Sequence, residues 1–380
     1  MTLRLVDGVA TAQEERRGRA LALAEAALRA VDPEGATAEA LRDLNLPRDA
    51  FVLAVGKAAV PMVRAAARAL PKARGVVVGP EAVDVPGFTS FVGGHPLPRE
   101  DAALAGQVVL DAARALGPAD VALCLVSGGG SAMLELPAEG ASLAQIRETT
   151  QRGLRGGMPI EELNRRRIEL SALKGGKLAA AMAPARIVNV LLSDVPGAEP
   201  SVIASGPTWV DDAEHVIAAD NQSAQDALVE SGAALGLRLV RFRDVISGEA
   251  AVAGEELMRR AAALLDQDQG VDGVVAGGET TVTVMGGGQG GRNGELVAGA
   301  IRHLGDHLLL SLATDGVDGP GGGAGALIDA AGVRLGTTLA GPVEWALQDN
   351  DTGRWFRTAG LQLAAGATGT NVADLHLVLR

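Results

Sequence analysis

The stretch Val121-Ala-Leu-Cys-Leu-Val-Ser-Gly-Gly-Gly-Ser-Ala-Met133 is an apolar run that leads directly into three glycines flanked by serines. A short, uninterrupted apolar run bounded by a turn signal is typical of a strand buried on both faces. Successive glycines let the backbone approach a ligand and point several N–H groups at one anion. The spacing matches neither G-x-x-x-x-G-K-[ST] nor G-x-G-x-x-G, the common phosphate-binding patterns. The stretch predicts a buried strand followed by an unusual anion-binding loop or by a tight strand-to-helix turn.

Comparable strands alternate with helical segments on both sides of this stretch. Short continuous apolar runs lie at 51–55, 75–79 and 187–192, and helical patterns occupy 60–70 and 101–116. Such alternation predicts βαβ units and a parallel sheet with helices on both faces. Glycine follows several strands at their carboxyl ends, where open α/β sheets bind ligands. We therefore expect an α/β fold whose N-terminal domain is built on a parallel sheet.

The pattern of apolar residues changes towards the C-terminal part of the chain. Runs at 271–276 and 308–312 predict further strands, and the β-branched stretch 280–284 alternates like a half-buried strand. A length of 380 residues favours two domains. We expect these domains at 1–240 and 241–380, the second being a smaller α/β domain.

Composition disfavours several classes of function. The net charge is −12 and aromatic residues make up only 2% of the chain, so a nucleic-acid surface is not expected. No uncharged apolar run approaches the ~20 residues that span a bilayer, and the N-terminus does not resemble a signal peptide. The single cysteine, Cys124, lies in a predicted buried strand and suits a reducing compartment. We expect a soluble, cytoplasmic protein that binds neither nucleic acid nor membrane.

Charged residues follow several predicted strands of the N-terminal domain. Lys57 follows the strand at 51–55 and precedes a helix, so it is either part of an anion site or a solvated surface lysine. Asp194 follows another strand, where a carboxylate is well placed to bind Mg²⁺ or to accept a proton. Arg167 and Lys174 belong to a basic segment that is either part of the same anion site or a surface run.

The C-terminal domain places a second set of charges beside glycines. Arg292 follows a pair of glycines and suits a bidentate contact with a carboxylate or phosphate. Glu295 fits the first turn of a helix, where the helix dipole favours an acid. Asp315 and Asp318 follow a predicted strand, and Asp318 could equally shape the turn.

Glycine-rich loops, strand-end acids and basic residues together favour phosphoryl transfer, in which catalysis is mainly positioning and neutralisation of charge. None of the five histidines has metal-site spacing, and His95 lies in a proline turn where a structural role explains it at least as well. The absence of G-x-S-x-G disfavours a serine hydrolase. A nominal G-x-G-x-x-G at 286–291 leaves an NAD(P)H-dependent reductase open, although the first βα turn lacks this pattern.

An ordered set of motifs resembles the glycerate 2-kinase family. The motifs span about residues 20–378 and include AVGKAA, GGHPLP, SGGGSAM, LSALKGGKLA, SDVPG, GGETTVTV, GGRNGEL and TDGVDGP. The C-terminal module of this family is often called MOFRL, and some members are labelled hydroxypyruvate reductase. The resemblance implies a Rossmann-like N-terminal domain, a smaller α/β MOFRL domain and an active site in the cleft between them. It also implies phosphorylation of D-glycerate at its 2-hydroxyl, with ATP and Mg²⁺, to give 2-phosphoglycerate.

The resemblance also assigns roles to residues of this chain. The expected catalytic residues are Lys57, Asp194, Arg292 and Asp315, of which the two aspartates are also the expected metal ligands. The residues expected to bind the nucleotide are Ser127, Gly128, Gly129, Gly130, Ser131, Lys174, Gly175 and Gly176. The residues expected to bind the substrate are Lys57, Glu279, Arg292 and Asn293. Asn371, in the terminal GTNV turn, is expected to support the site structurally.

The chain departs from the family pattern at three places. Glu169 stands where a histidine is usual, Ala198 stands where an acid is usual, and the glycines 321–323 replace a segment with a threonine and an acid. These changes bear on metal and substrate binding. They leave two alternatives open, an NAD(P)H-dependent hydroxypyruvate reductase and a binder of hydroxy acids and nucleotides that has lost turnover. A homodimer is also compatible with the chain.

Overall fold

The chain forms two compact units in a computed structural model. The structure describes residues 2–5, 14–156, 158, 160–197 and 199–380. One unit is Pro33–Ala219, and the other combines Met1–Asp32 with Asp220–Arg380. The expected domains 1–240 and 241–380 stay a prediction; the compact units group residues 1–32 and 220–240 with the C-terminal part. None of the helices in the described ranges is both long and apolar enough to cross a membrane.

The N-terminal segment joins the C-terminal unit through a strand pair and a buried ion pair. The short strand β1 (Arg4–Leu5) pairs antiparallel with a strand near the C-terminus. The helix α1 (Glu14–Ala30) carries Arg17, whose guanidinium makes two 2.7 Å hydrogen bonds to the carboxylate of Asp329. Both side chains are nearly fully buried, and removing one partner of such a pair leaves an uncompensated charge. This partnership spans most of the sequence, so local patterns do not reveal it.

The unit Pro33–Ala219 alternates helices and strands, as the apolar runs predict. Its elements in chain order are α2 (Pro33–Arg42), β2 (Phe51–Val55), α3 (Ala59–Ala69), β3 (Arg74–Gly79), β4 (Phe88–Val92), α4 (Ala102–Arg114), β5 (Val121–Ser127), α5 (Gly130–Met133), α6 (Leu143–Arg155), α7 (Ile160–Leu170), α8 (Lys177–Met182), β6 (Arg186–Leu192) and β7 (Glu214–Ala219). A 3₁₀ segment, Pro200–Ser205, lies between the last two strands.

The six strands of this unit form one parallel sheet in the order β4-β3-β2-β5-β6-β7. The strand order reverses between β2 and β5, which lie side by side. In doubly wound sheets, ligands bind at this reversal point, outside the carboxyl ends of the strands. The Rossmann-like parallel sheet is therefore confirmed, and its reversal point lies at Lys57 and at the glycine loop after β5.

The strands β2 and β5 are continuous apolar runs because both of their faces are buried. Leu53 and Cys124 face each other across the two strands, and their neighbours Val52 and Leu123, on the opposite face, have no exposed surface either. Burial raises the pKa of the Cys124 thiol to about 12, so the thiol is unreactive at neutral pH. The expectation that Cys124 is a core residue is confirmed.

The remaining elements belong to the second unit. They are α9 (Asn221–Ala234), β8 (Leu239–Arg241), α10 (Ala250–Gln267), β9 (Gly273–Gly278), α11 (Arg292–Ala300), β10 (Leu308–Ala313), β11 (Gly325–Asp329), α12 (Ala330–Ala340), α13 (Val343–Gln348), α14 (Thr352–Thr358), β12 (Gln362–Ala364) and β13 (Asp374–Leu379). The sheet order is β1-β12-β11-β10-β13-β9-β8. Neighbouring strands pair antiparallel, except β8 and β9, which are parallel.

The prediction of a strand at 280–284 is wrong. Only an isolated bridge forms there, between Thr281 and Glu249. The amide of Thr283 donates to the Glu249 carboxylate at 3.2 Å, and the amide of Met285 donates to Asn350 Oδ1 at 2.7 Å. Side chains therefore satisfy backbone donors that a neighbouring strand would otherwise pair, so β-branched alternation does not produce a strand here.

Candidate active site

The turn after β2 and the loop after β5 are tied together at the reversal point of the parallel sheet. The amide of Lys57 donates to the carbonyl of Gly128 at 2.9 Å. The amide of Ala58 donates to Ser127 Oγ at 3.0 Å, and that hydroxyl in turn donates to the carbonyl of Val55 at 3.3 Å. The Ser127 side chain is thus used within the protein, and any contact with a ligand would come from the backbone rather than from its hydroxyl.

The glycine loop allows three side chains to lie against its backbone. A Cβ at Gly128 would lie 1.8 Å from Asp194 Oδ2, so only glycine leaves room for the carboxylate. Gly129 has a φ of +80°, and a Cβ there would lie 3.0 Å from Lys57 Cγ and 3.3 Å from His95 Cδ2. The loop is therefore bordered by the Asp194 carboxylate at Gly128 and by the Lys57 and His95 side chains at Gly129.

Three successive amides of the loop are free to bind an anion. Within the ranges that the structure describes, the N–H groups of Gly129, Gly130 and Ser131 donate no hydrogen bond to the protein. The Ser131 hydroxyl lies 2.7 Å from Ser205 Oγ, which places a second small polar turn beside the loop. Converging N–H donors of this kind form an anion-binding concavity. The arrangement supports the expected role of the loop, which stays a prediction.

Asp194 and Lys57 interact through their charges at this loop. Burial raises the pKa of the Asp194 carboxyl, and the positive charge of Lys57 partly offsets that rise. No side chain in the described ranges donates a hydrogen bond to the carboxylate, while the Lys57 side chain is exposed. A carboxylate with a raised pKa, next to an anion loop, can accept a proton or hold a divalent cation.

His95 also belongs to this cluster, which the sequence left undecided between a structural and a functional role. Its ring borders Gly129, as described above. Partial desolvation, followed by the charges of Lys57 and Arg167, lowers the pKa of His95 to about 4. The imidazole is therefore neutral at physiological pH and can donate or accept a hydrogen bond without adding charge.

The segment expected to contact the nucleotide at Lys174, Gly175 and Gly176 is used within the protein. The Lys174 ammonium is 1% exposed and lies 2.5 Å from Glu135 Oε2. The amides of Gly175 and Gly176 donate to the carbonyls of Ser205 and Gly206 at 3.0 and 2.8 Å. The two amides thus hold the 3₁₀ turn that carries Ser205, and the expected role of this segment in nucleotide binding stays a prediction. Sequence reasoning missed Glu135, because an acid in an apolar stretch does not reveal its partner.

Arg292, in the second unit, is held by two acids. Its Nε and Nη2 donate to the Asp374 carboxylate at 2.6 and 2.9 Å, and its Nη1 lies 3.2 Å from Glu279 Oε1. Burial alone would lower the pKa of Arg292, but the hydrogen bonds and charge of Asp374 outweigh it and raise the pKa. The guanidinium is therefore always charged, with a fixed orientation. Asp374 was not singled out from the sequence, where it is only the first residue of the last strand.

Asn293 has a different environment from the one expected of a substrate-binding residue. Its side chain has no exposed surface. Its backbone amide donates to Asp318 Oδ1 at 2.9 Å, and Ser311 Oγ donates to its Oδ1 at 2.5 Å. Asp318 also accepts from the amide of Gly294 at 2.9 Å, so it caps the first turn of α11. The side chain of Asn293 thus contacts Asp318 and Ser311 next to the helix that presents Arg292, and its expected role in substrate binding stays a prediction.

The remaining expected residues have local roles in the structure. Asp315 is partly buried and accepts from the amide of Val317 at 2.9 Å. Asn371 accepts from the amide of Ala373 at 3.2 Å within its own turn. Among the described residues, no group of three or more His, Cys, Asp or Glu side chains is arranged to hold a metal ion. The metal-binding roles of Asp194 and Asp315 stay predictions.

The departures from the family pattern lie in three different settings. Glu169 is exposed and pairs with Arg165 at 2.7 Å on the outer side of α7. Ala198 lies outside the described residues. At 321–323, the carbonyl of Gly321 accepts from Arg357, and a Cβ at Gly323 would lie 2.6 Å from the Gln362 side chain. The glycine at 323 is thus required by packing within its own unit.

Comparison with known proteins gives the chain a family. Residues 19–229 match the family described as "Domain of unknown function (DUF4147)", and residues 273–374 match the MOFRL family. The chain is 33% identical to a D-glycerate 2-kinase of Thermotoga maritima, over 96% of this chain and 99% of that protein. It is 32% identical to a protein of Agrobacterium vitis with the provisional name hydroxypyruvate reductase, over 93% of this chain and 92% of that protein.

Solved structures agree with the sequence comparison. The crystal structure of a glycerate kinase from Thermotoga maritima matches with a TM-score of 0.90 and 32% identity, over 96% of this chain and 99% of that one. The match in sequence and in fold thus extends over almost the whole of both proteins. The chain belongs to the glycerate 2-kinase family, with a DUF4147 region followed by a MOFRL region.

Proposed function

We propose that this protein transfers the γ-phosphoryl group of ATP to the 2-hydroxyl of D-glycerate, giving 2-phosphoglycerate and ADP. One observation carries the proposal: Lys57 lies beside a glycine loop with three uncommitted amides, at the reversal point of a parallel sheet. A cation and converging N–H groups neutralise phosphate oxygens, which is most of what phosphoryl transfer requires of a protein. The names of the relatives indicate glycerate as the acceptor.

Asp194 is the proposed proton acceptor. As the 2-hydroxyl oxygen bonds to the γ-phosphorus, its proton passes to the carboxylate, and the bond from the γ-phosphorus to the bridging oxygen of ADP breaks. Burial supports this role because it raises the pKa of Asp194 towards the working pH, where a base accepts a proton more readily. Its position against Gly128 keeps the carboxylate beside the loop proposed to hold the phosphates.

Mg²⁺ is part of the proposal. Magnesium is commonly held by one or two carboxylates together with the phosphates of a nucleotide, so it does not need a preformed cluster of acids. Asp194 fits that requirement as the alternative to its role as the base, because its carboxylate lacks a hydrogen-bonding side-chain partner within the described ranges. Asp315 is the second proposed ligand. The ion would supply neutralisation of the charge on the transferred group.

The proposal includes residues of the second unit on the strength of the family motifs. Arg292 would stabilise charge on the transferred phosphoryl group or the substrate, and Glu279 would contribute to substrate binding. The bidentate pair with Asp374 supports a role that depends on a fixed guanidinium. A homodimer and a cytoplasmic location belong to the same proposal.

An assay of ADP release with D-glycerate tests the proposal. We expect Mg²⁺-dependent ADP formation and a ³¹P spectrum that identifies 2-phosphoglycerate. Asp194→Asn and Lys57→Ala should each reduce the rate by at least ~10²-fold, the scale of a positioned base or a phosphate-neutralising cation. Arg19→Gln is a matched control, because Arg19 is a half-exposed arginine paired with Glu15 outside this site. Full activity in both site variants would contradict the assignment of the site.

Two other outcomes distinguish the alternatives. Oxidation of NAD(P)H by hydroxypyruvate would favour a reductase, but the structure weakens that reading. The glycine pattern at 286–291 follows no strand, and a dinucleotide fingerprint requires one. Binding of ATP and D-glycerate without turnover would instead identify a binder that has lost catalysis.

A further inference from the structure

Arg167 is a partly buried arginine without an acidic partner. It lies on α7, and no carboxylate in the described ranges comes within ion-pair distance of its guanidinium. Its two hydrogen bonds, to Thr150 Oγ1 and Asn164 Oδ1, are both 3.4 Å long and go to neutral acceptors. Burial lowers the pKa of Arg167, and the more distant charge of Glu135 offsets that effect only in part.

Two other buried or partly buried arginines of this chain show a contrast with Arg167. Arg17 makes a bidentate pair with Asp329, and Arg292 makes one with Asp374. The neighbouring Arg165, although exposed, pairs with both Glu162 and Glu169. A desolvated guanidinium that keeps only long, neutral contacts through Nε and Nη1 has its remaining donors available for an anion from outside the protein.

Two connections place Arg167 beside the glycine loop. Asn164 Oδ1 accepts from both Arg167 and Ser205 Oγ, the latter at 3.2 Å, and Ser205 Oγ lies 2.7 Å from Ser131 Oγ. The charge of Arg167 also reaches His95, whose ring borders Gly129. The guanidinium is therefore near the same loop, at its Ser131 end, whereas Asp194 borders the loop at Gly128.

We propose that Arg167 binds the carboxylate of the hydroxy-acid substrate. The inference rests on the proposed function, in which the acceptor carries a carboxylate next to the reacting hydroxyl. The loop amides and Lys57 are already proposed to bind phosphate. The substrate carboxylate is then the negative group that still needs a positively charged partner in this unit. A planar guanidinium matches a carboxylate through two parallel hydrogen bonds, and partial burial strengthens such a contact. Asn164 holds the arginine in place and leaves its remaining donors free.

The test compares Arg167→Gln and Arg167→Lys with Arg165→Gln, a control that removes an exposed arginine from the same helix. Steady-state kinetics are measured with D-glycerate and with its uncharged amide, glyceramide. Arg167→Gln should lower kcat/KM for D-glycerate by roughly 10- to 100-fold, the scale of a charge-assisted hydrogen bond, mostly through KM. The KM for ATP should change less than about twofold, within the error of independent binding terms. Arg167→Lys should lie between the wild type and Arg167→Gln, and Arg165→Gln should match the wild type.

Glyceramide supplies the readout that a structural role would not change. The wild type should prefer D-glycerate over glyceramide, and Arg167→Gln should lose most of that preference. An increase in the KM for ATP with no change for D-glycerate would overturn the proposal in favour of a phosphate contact. Equal losses with both acceptors would also overturn it, in favour of a structural role.

Binding measurements separate this inference from the proposed function. If the wild type shows no turnover, calorimetry with D-glycerate still tests Arg167. Binding to the wild type that is weakened in Arg167→Gln, but not in Arg165→Gln, would support the carboxylate site even though the kinase proposal fails. No binding of D-glycerate to the wild type would overturn both.

Discussion

Replacing Lys174 with methionine tests whether this lysine stabilises the parallel-sheet unit or binds the nucleotide. Methionine keeps most of the apolar stem and removes the ammonium. In the native protein that ammonium lies 2.5 Å from Glu135 Oε2 and also donates to the carbonyl of Leu134 at 3.3 Å. The two charged side chains are 1% and 0% exposed, so neither can turn towards water when its partner is lost.

The structure sets the expected size of the effect. Removing one member of a buried ion pair costs about 3–5 kcal/mol because a charge is left buried and unpaired. Glu135 Oε1 would still accept from Ser171 Oγ at 2.6 Å and from the amide of Leu136 at 3.0 Å. These bonds support the remaining carboxylate, so we expect a loss near the lower limit, about 3 kcal/mol. The double variant with Glu135→Gln removes the buried charge and should recover about half of that loss.

Urea unfolding measures this effect, with circular dichroism for the whole chain and hydrogen exchange for the peptides of β5 and α8. Exchange is needed because a chain with two compact units need not unfold in one step. Lys174→Met should shift the midpoint of the parallel-sheet unit and speed exchange in both peptides. The KM for ATP should stay within about twofold of the wild type at temperatures where the variant is folded, because the ammonium faces Glu135.

Two results would refute this reasoning. Unchanged unfolding of Lys174→Met would show that the pair with Glu135 contributes nothing to stability. A tenfold or greater rise in the KM for ATP, with unchanged stability, would restore Lys174 as a nucleotide ligand. Single and double variants together give the coupling energy of the pair, which should be clearly above zero if the two side chains interact as the structure shows.

Three further predictions concern the charged groups of the candidate site. Gly128→Ala places a Cβ where Asp194 Oδ2 now lies and should displace this carboxylate. The kcat should therefore fall by at least ~10²-fold, with little change in melting temperature. Gly18→Ala is the control, because a Cβ at Gly18 would meet open space. Asp374→Asn removes the charge that orients Arg292, and kcat should fall by roughly 10- to 100-fold; an unchanged kcat would separate Arg292 from catalysis. The raised pKa of Asp194 means that its carboxylate protonates at a higher pH than an ordinary aspartate, so kcat/KM should decline as pH falls through that pKa, and a decline of the same size in Asp194→Asn would assign it to another group.

Much of the parallel-sheet unit could be predicted from the sequence because its signals are local. β2 and β5 are continuous apolar runs, and such runs occur where both faces of a strand are covered. In a parallel sheet the residues that follow such strands meet at one edge, which brings Lys57 to Gly128. The contact between Lys57 and Gly128 therefore follows from the two apolar runs and from the rule that parallel strands end at the same edge of a sheet.

Other features could not be predicted because they depend on distant partners. The alternation at 280–284 is typical of a strand, but Glu249 and Asn350 take its backbone donors. Lys174 resembles other lysines beside glycines, and only the folded chain brings it to Glu135. Asn293 is a polar residue next to glycines, as many ligand-binding residues are, yet its polar groups form hydrogen bonds with Ser311 and Asp318 within the unit. In each case, a polar group is satisfied by a residue far along the chain, and local patterns carry no information about that partner.

The parallel sheet is of the type found in dinucleotide-binding proteins, but the glycines follow a different strand. In those proteins the glycine pattern lies after the first strand, where the helix that follows receives a pyrophosphate. Here the turn after β2, the first strand of this sheet, carries Lys57, and the glycines follow β5, its neighbour at the reversal point. A lysine facing a short loop of free amides concentrates positive charge at one place instead of along an extended diphosphate. Such a concentration suits the charge of a phosphoryl group during transfer, so the departure from the dinucleotide-binding pattern agrees with kinase chemistry.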